Sequence, residues 1–260
     1  MPAWLLLRES RLNPVIEEIE RDGTTVLPDG ERTQVHSAVG PGSGRVIRHA
    51  IEAAQPKLGC EVGLAFGVSA LYILDAMQDF GNGRLIGMDP AQHDRTWRGG
   101  GLHNLHRAGF SDRYTFHEAT SQFVLPRLAE AGTRIQFGFV DGWHTFDHAL
   151  VDFFYLDQML DVGGVIVLDD VGYPSLQRLA HFIITNRDYS LLDSDPRSLP
   201  SGLRNKAKTI AKKICNPLVR DDHTPTAESR RLQDPINRSQ LIALRKNGDD
   251  KRSFDHFVPF

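Results

Sequence analysis

Between Leu58 and Leu168 the chain alternates short apolar runs with stretches of helical period, and no other feature restricts its fold as much. The runs Leu58 to Leu64, Arg84 to Met88, Tyr114 to His117, Ile135 to Val140 and Val165 to Leu168 have the length of strands. Helices over Val68 to Met77, Leu102 to Ala108, Ser121 to Ala131 and Phe146 to Leu160 fill the gaps between them. Strands and helices of this length, joined by short turns, imply an α/β fold with a mostly parallel sheet covered on both faces. A helix over 175–186 and two further runs, Tyr189 to Leu192 and Leu241 to Leu244, complete the pattern.

With 260 residues, 40% of them hydrophobic, one large domain with a modest appendage suffices. Residues 1–45 read as a lead-in or cap, with a helix over 10–22 carrying Val15, Ile16 and Ile19 on one face and a turn-rich stretch through Gly44. A helix over 45–55 then opens the main domain, 46–260, which holds an insertion at about 194–237 rich in Asp, Pro, Ser, Arg and Lys. The 30 basic and 33 acidic residues are well mixed and sum to a net charge of -3, so no global positive field favours nucleic acid or a membrane surface. A small molecule is the expected partner. The basic run Arg204 to Lys213 reads as a solvated helix or a lid over an acidic substrate before it reads as a nucleic-acid or lipid contact. Cys60 falls inside an apolar strand, where a reduced core thiol fits a cytoplasmic protein. The apolar start Ala3 to Leu7 is too short for a signal-peptide core or a membrane span, and a soluble protein is expected.

Function should gather at the strand ends. In Cys60 to Ser69, Gly63 and Gly67 let the backbone bend tightly and lie close to a ligand, and the helix from Val68 presents unpaired N–H groups there. Two glycines alone are weak evidence, and they do not form the G-x-G-x-x-G fingerprint of dinucleotide binders. Asp89 ends the second strand, where an acid can accept both hydrogen bonds of a ribose diol or serve as a turn residue before Pro90. Asp141 ends the fourth strand and the pair Asp169-Asp170 the fifth. If those strands are neighbours, about 4.8 Å apart, the carboxylates can converge on one hard divalent cation, Mg²⁺ before zinc; otherwise each acid caps a helix. His93, His103 and His106, with Trp97 and the glycines at 99–101, lack an acid or cysteine at ligand spacing and are expected to shape a substrate wall.

The ordered set Glu61-Val62-Gly63 to Gly67, Met88-Asp89, Thr120-Ser121-Gln122, Asp141-x-Trp143-His144 and Asp169-Asp170 resembles the class I S-adenosylmethionine-dependent methyltransferases. Within them it is similar to the metal-dependent small-molecule O-methyltransferases, both the catechol-type enzymes and the bacterial group of macrolide-sugar O-methyltransferases and cephalosporin-hydroxylase-like proteins. The similarity spans about 46–189 and 240–260. It implies a Rossmann-like seven-stranded, mostly parallel sheet with helices on both faces and the last strand antiparallel. It also implies that Gly63 and Gly67 line the methionine end of S-adenosylmethionine, Glu61 and Ser69 hold its amino acid part, and Asp89 holds the ribose. Ser121 and Gln122 would meet the adenine, Trp143 would pack on it, and Asp141, Asp169 and Asp170 would hold the metal. The chain departs from the catechol-type pattern in two places, with His144 for a lysine base and Asp170 for an asparagine. His144, with Asp141 beside it, can act as general base or as a supporting or helix-capping residue. The implied activity is O-methylation of a sugar, a phenol or another natural product hydroxyl; no nucleic acid or membrane partner is expected, and a homodimer is compatible. Two other functions are a catalytically inactive binding protein on this fold and an NAD-dependent oxidoreductase, the latter disfavoured by the absent fingerprint.

Overall fold

The computed structural model describes residues 12–196, 236 and 238–260. The apolar start, the basic run 204–213 and most of the expected insertion lie outside the described residues. In chain order the elements are α1 (Pro14–Asp22), β1 (Thr24–Val26), β2 (Arg32–Gln34), α2 (Pro41–Ala54), β3 (Leu58–Val62), α3 (Val68–Gln78), β4 (Arg84–Met88) and α4 (Gly100–Arg107). They continue as β5 (Tyr114–His117), α5 (Ser121–Glu130), β6 (Ile135–Val140), α6 (Phe146–Met159), β7 (Leu160–Leu168), α7 (Pro174–Asn186), β8 (Tyr189–Pro196) and β9 (Ser239–Lys246).

The seven-stranded sheet has the order β5-β4-β3-β6-β7-β9-β8. From β3 the chain winds outward through β4 and β5, then returns to the other side of β3 as β6, and this reversal makes a crevice above β3 and β6. Strands β3 to β7 pair in parallel, and β9 runs antiparallel to both β7 and β8. Alternation along the strands divides the core in two. Phe137, Phe139, Val165 and Val167 pack with α2 and α3 on one face, and Cys60, Val62, Ile166 and Leu168 with α6 and α7 on the other. Helix α3 is buried over every residue from Val68 to Met77, so it has no solvent face. Cys60 is a fully buried free thiol, raised above the ordinary thiol range by burial. Among the described residues no helix is long and apolar enough to cross a membrane.

Register carries the chain from fold to site. Val62 pairs with both Met88 and Val140, and Val140 pairs with Leu168, so four strands stop at one level. The next residues are Asp89, Gly63, Asp141 and Asp169, side by side. Their N–H groups continue the ladder: Gly63 donates to the Met88 carbonyl (2.9 Å), Asp141 to Val62 (3.0 Å) and Asp169 to Val140 (3.1 Å).

Several boundaries differ from those read in the sequence, three of them near the site or the insertion. The turn-rich lead-in contains an antiparallel hairpin, β1–β2, with Thr25 paired to Thr33. Strand β7 begins at Leu160, directly on the end of α6, and β8 continues to Pro196, past the expected start of the insertion at 194. That extension is tied to α2: Asp193 accepts from Arg45 (3.0 Å) and Asp195 from Ser43 (2.8 Å).

Candidate active site

The turn after β3 is held from several directions. Gly63 (φ +91°) and Gly67 (φ +73°) are left-handed, and Ala65 between them has φ +47°. A Cβ at Gly63 would lie 2.1 Å from the Asp141 carbonyl oxygen, and one at Gly67 3.0 Å from that of Gly101. Both glycines therefore admit neighbouring protein backbone, a stricter need than room for a ligand. Asp89 Oδ2 accepts from Leu64 N–H (3.1 Å) and Ala65 N–H (2.9 Å), and its Oδ1 accepts from Ala91 N–H (2.8 Å), so this acid organises the turn. Gln92 donates to the Ala65 carbonyl (2.9 Å) while accepting from Gly101 N–H (2.9 Å). Asn104 donates to the Phe66 carbonyl (2.9 Å) and accepts from Thr25 of the hairpin (2.6 Å). No signal in the sequence marked Gln92 or Asn104. The expected substrate wall lies partly inward: Trp97 stacks edge-on against Phe66, and Gly100 has no room for a Cβ beside Phe66 and Leu27.

Glu61 is fully buried, with Oε1 accepting from the Tyr114 hydroxyl (2.8 Å) and Oε2 from Ser69 (3.1 Å). Gly87 makes room for that phenol, because a Cβ there would meet the Tyr114 oxygen. Burial pushes the Glu61 carboxyl up from 4.5 to about 8, against the two hydroxyl donors, which lower it. A carboxyl raised in the folded state binds its proton more tightly than in the unfolded chain, so stability is full below 4.5 and falls as pH rises through about 8. Urea unfolding should show wild type losing about 1–3 kcal/mol relative to Glu61→Gln between pH 5 and pH 8. Parallel pH profiles for the two proteins would refute this assignment.

Further along the crevice, Ser121 opens α5 and hydrogen-bonds Asp152 of α6, a buried carboxyl raised by burial to about 6. Gln122 is exposed, and Trp143 presents 69% of its surface to solvent. Ser121 and Gln122 follow β5, two strands from β3 on one side, and Trp143 follows β6, the neighbour of β3 on the other side.

The acids follow β6 and its neighbour β7. His144 Nε2 lies 3.4 Å from Asp141 Oδ1 and 3.4 Å from Asp170 Oδ2, and one ligand atom from each of the three residues falls within 4.8 Å of the others. Tyr173 stacks on the His144 ring at 5.3 Å. Asp170 is left-handed (φ +51°), a conformation aspartate tolerates better than most residues. Asp169, expected as a metal ligand, has its Oδ1 accepting from Asp170 N–H (2.8 Å), and it lies outside the three-residue group. Burial raises the Asp141 and Asp169 carboxyls, and Asp141 adds to the rise at Asp169. His144 is raised in turn, first by its hydrogen bond to Asp141. The two carboxylates and the imidazole together offer three ligand atoms to a divalent cation.

Residues 60–171, from β3 to just beyond β7, match a family model described as a methyltransferase domain. Among solved structures, the chain is similar to the O-methyltransferase from Bacillus cereus in complex with SAH, at 16% identity and TM-score 0.53, covering 61% of this chain and 76% of that one. It is also similar to the O-methyltransferase TomG from Streptomyces achromogenes, involved in tomaymycin synthesis and solved with SAM, at 19% identity and TM-score 0.53, covering 70% and 82%. No curated protein matches the sequence. The strand-end crevice of the seven-stranded sheet lies within the stretch that matches this methyltransferase domain, and these solved structures share its fold.

Proposed function

We propose that this chain is a class I S-adenosylmethionine-dependent methyltransferase acting on a hydroxyl oxygen of a small molecule, a sugar, phenol or other natural product, with a divalent cation held by Asp141, His144 and Asp170. The observation that carries the reading is the row of strand ends. It sets the glycine turn beside Asp141 and Asp141 beside Asp169, so a donor site and an acid cluster adjoin on one sheet edge. When bound, S-adenosylmethionine supplies the methyl group from its sulfonium, and the cation lowers the pKa of the acceptor hydroxyl.

The chain's own residues supply position and charge. Gly67 brings no side-chain cap to α3, which leaves the first N–H groups of that helix available to the carboxylate of the donor. Asp89 keeps the turn in place through two N–H groups, and its position at the end of β4 suits the ribose. Ser121, Gln122 and Trp143 border the region for adenine, where the exposed indole offers a flat apolar face. His144, expected as a base, has Nε2 directed between two carboxylates and is better placed as the third ligand. Asp169, the residue before Asp170, adds a further carboxyl beside the group. The named partners are small molecules, and a cytoplasmic setting suits the reduced thiol.

Thermal unfolding with and without S-adenosylhomocysteine tests the donor assignment. At ligand 100-fold above Kd, the stabilisation is about 2.7 kcal/mol, a rise in Tm of roughly 5–11 °C. NAD should give no shift. Protection by NAD, or by neither ligand at millimolar concentration, would overturn the reading.

A further inference from the structure

Gln240 is the second residue of β9, at the sheet edge where the acids converge, and belongs to none of the motifs. Its amide nitrogen donates to Asp170 Oδ1 (2.5 Å) and approaches Asp169 Oδ1 (3.4 Å), so one NH₂ group serves two adjacent carboxylates. Its backbone carbonyl accepts from Val171 N–H (2.9 Å), which ties the turn that carries both acids to β9. With Oδ1 engaged by Gln240, Asp170 has Oδ2 left to face His144 Nε2 (3.4 Å). Rotation of the carboxylate would break the amide contact.

We propose that Gln240 is a positioning residue for the cation: it orients Asp170 so that Oδ2 points at the group formed with Asp141 and His144. A donor that orients a ligating carboxylate this way is typically worth about 10- to 100-fold in metal affinity. The inference rests on the cation reading above, and the experiment separates the two. Mn²⁺ is titrated into metal-free full-length wild type and Gln240→Leu, followed by calorimetry and by the electron paramagnetic resonance signal of free Mn²⁺. S-adenosylhomocysteine affinity is measured on the same samples. The expected result is Mn²⁺ binding weakened about 10- to 100-fold by Gln240→Leu, with S-adenosylhomocysteine affinity unchanged within about twofold, and the same split for Gln240→Met. Equal Mn²⁺ affinity in wild type and variant would overturn the role of Gln240 while leaving the cation site standing. Absence of Mn²⁺ binding in wild type would overturn both. If both variants lose S-adenosylhomocysteine binding together with Mn²⁺ binding, Gln240 supports the fold in general and the proposal fails.

Discussion

Gly63→Ala is expected to cost about 3–5 kcal/mol of stability, a fall in Tm of roughly 6–20 °C. Two costs combine. A φ of +91° strains any residue with a Cβ, and that atom would stand 2.1 Å from the Asp141 carbonyl oxygen. The second contact is with backbone on the neighbouring strand, so relief requires the ends of β3 and β6 to part. Gly109 provides the control: it has φ +77° and nothing within 4 Å of its Cβ position, so Gly109→Ala carries the conformational penalty alone. Gly67→Ala, with 3.0 Å to the Gly101 oxygen, should fall between the two. Urea unfolding of the three variants checks the order, and a Gly63→Ala loss no larger than that of Gly109→Ala would show that the close approach does not matter. Since the same turn borders the donor site, S-adenosylhomocysteine affinity should fall most for Gly63→Ala.

Strands buried on both faces were legible because they are continuous apolar runs with sharp polar edges. Arg84–Met88 and Ile135–Val140, each buried at all but one position, have in the structure the limits read from the sequence, and so does Tyr114–His117, although it is an edge strand with Thr115 exposed. In β7 and β8 the pattern failed. In β7, Asp161 and the Gly163-Gly164 pair interrupt the apolar run, yet pairing reaches back to Leu160 opposite Ile135. In β8, an edge strand, Asp193, Ser194 and Asp195 looked like loop, but they pair with Ala243, Ile242 and Leu241, their carboxylates held by α2. The three-residue strands of the hairpin are too short to show a period at all.

At the site, strand-end acids announced themselves because a charge directly after a buried apolar run marks where the strand leaves the core, at the sheet edge that binds ligands. For Asp89 the residues allowed either a ligand contact or a turn. Its oxygens serve the turn, accepting from Leu64, Ala65 and Ala91. What stayed hidden was which oxygen of each carboxylate is already engaged, because the donors come from afar. Gln240 is 70 positions from Asp170, and Tyr114 is 53 from Glu61. No local spacing encodes such pairs; they follow from the register of β9 on β7 and of β5 on β4.

Asp141→Asn is expected to lower kcat/KM by about 10³-fold, equivalent to about 4 kcal/mol, and to weaken Mn²⁺ or Mg²⁺ binding by a comparable factor. The substitution leaves the backbone carbonyl against Gly63 in place and removes only the charge that faces His144, so S-adenosylhomocysteine affinity should change little. Asp169→Asn should behave differently although it deletes an equal charge on the adjacent strand. The amide oxygen introduced there can still accept from Asp170 N–H, and Asp169 stands outside the group that Asp141, His144 and Asp170 form. Its removal should weaken cation binding about 10-fold, the scale of a supporting residue. In the metal-free protein the two effects on stability share a sign, because both carboxyls are raised by burial and an amide spares the cost of ionising them as pH rises. Calorimetric titration of the cation into both variants separates their roles: equal losses would make Asp169 a direct ligand, whereas a loss at least roughly tenfold larger for Asp141→Asn supports the three-residue cage in which His144 takes the third place.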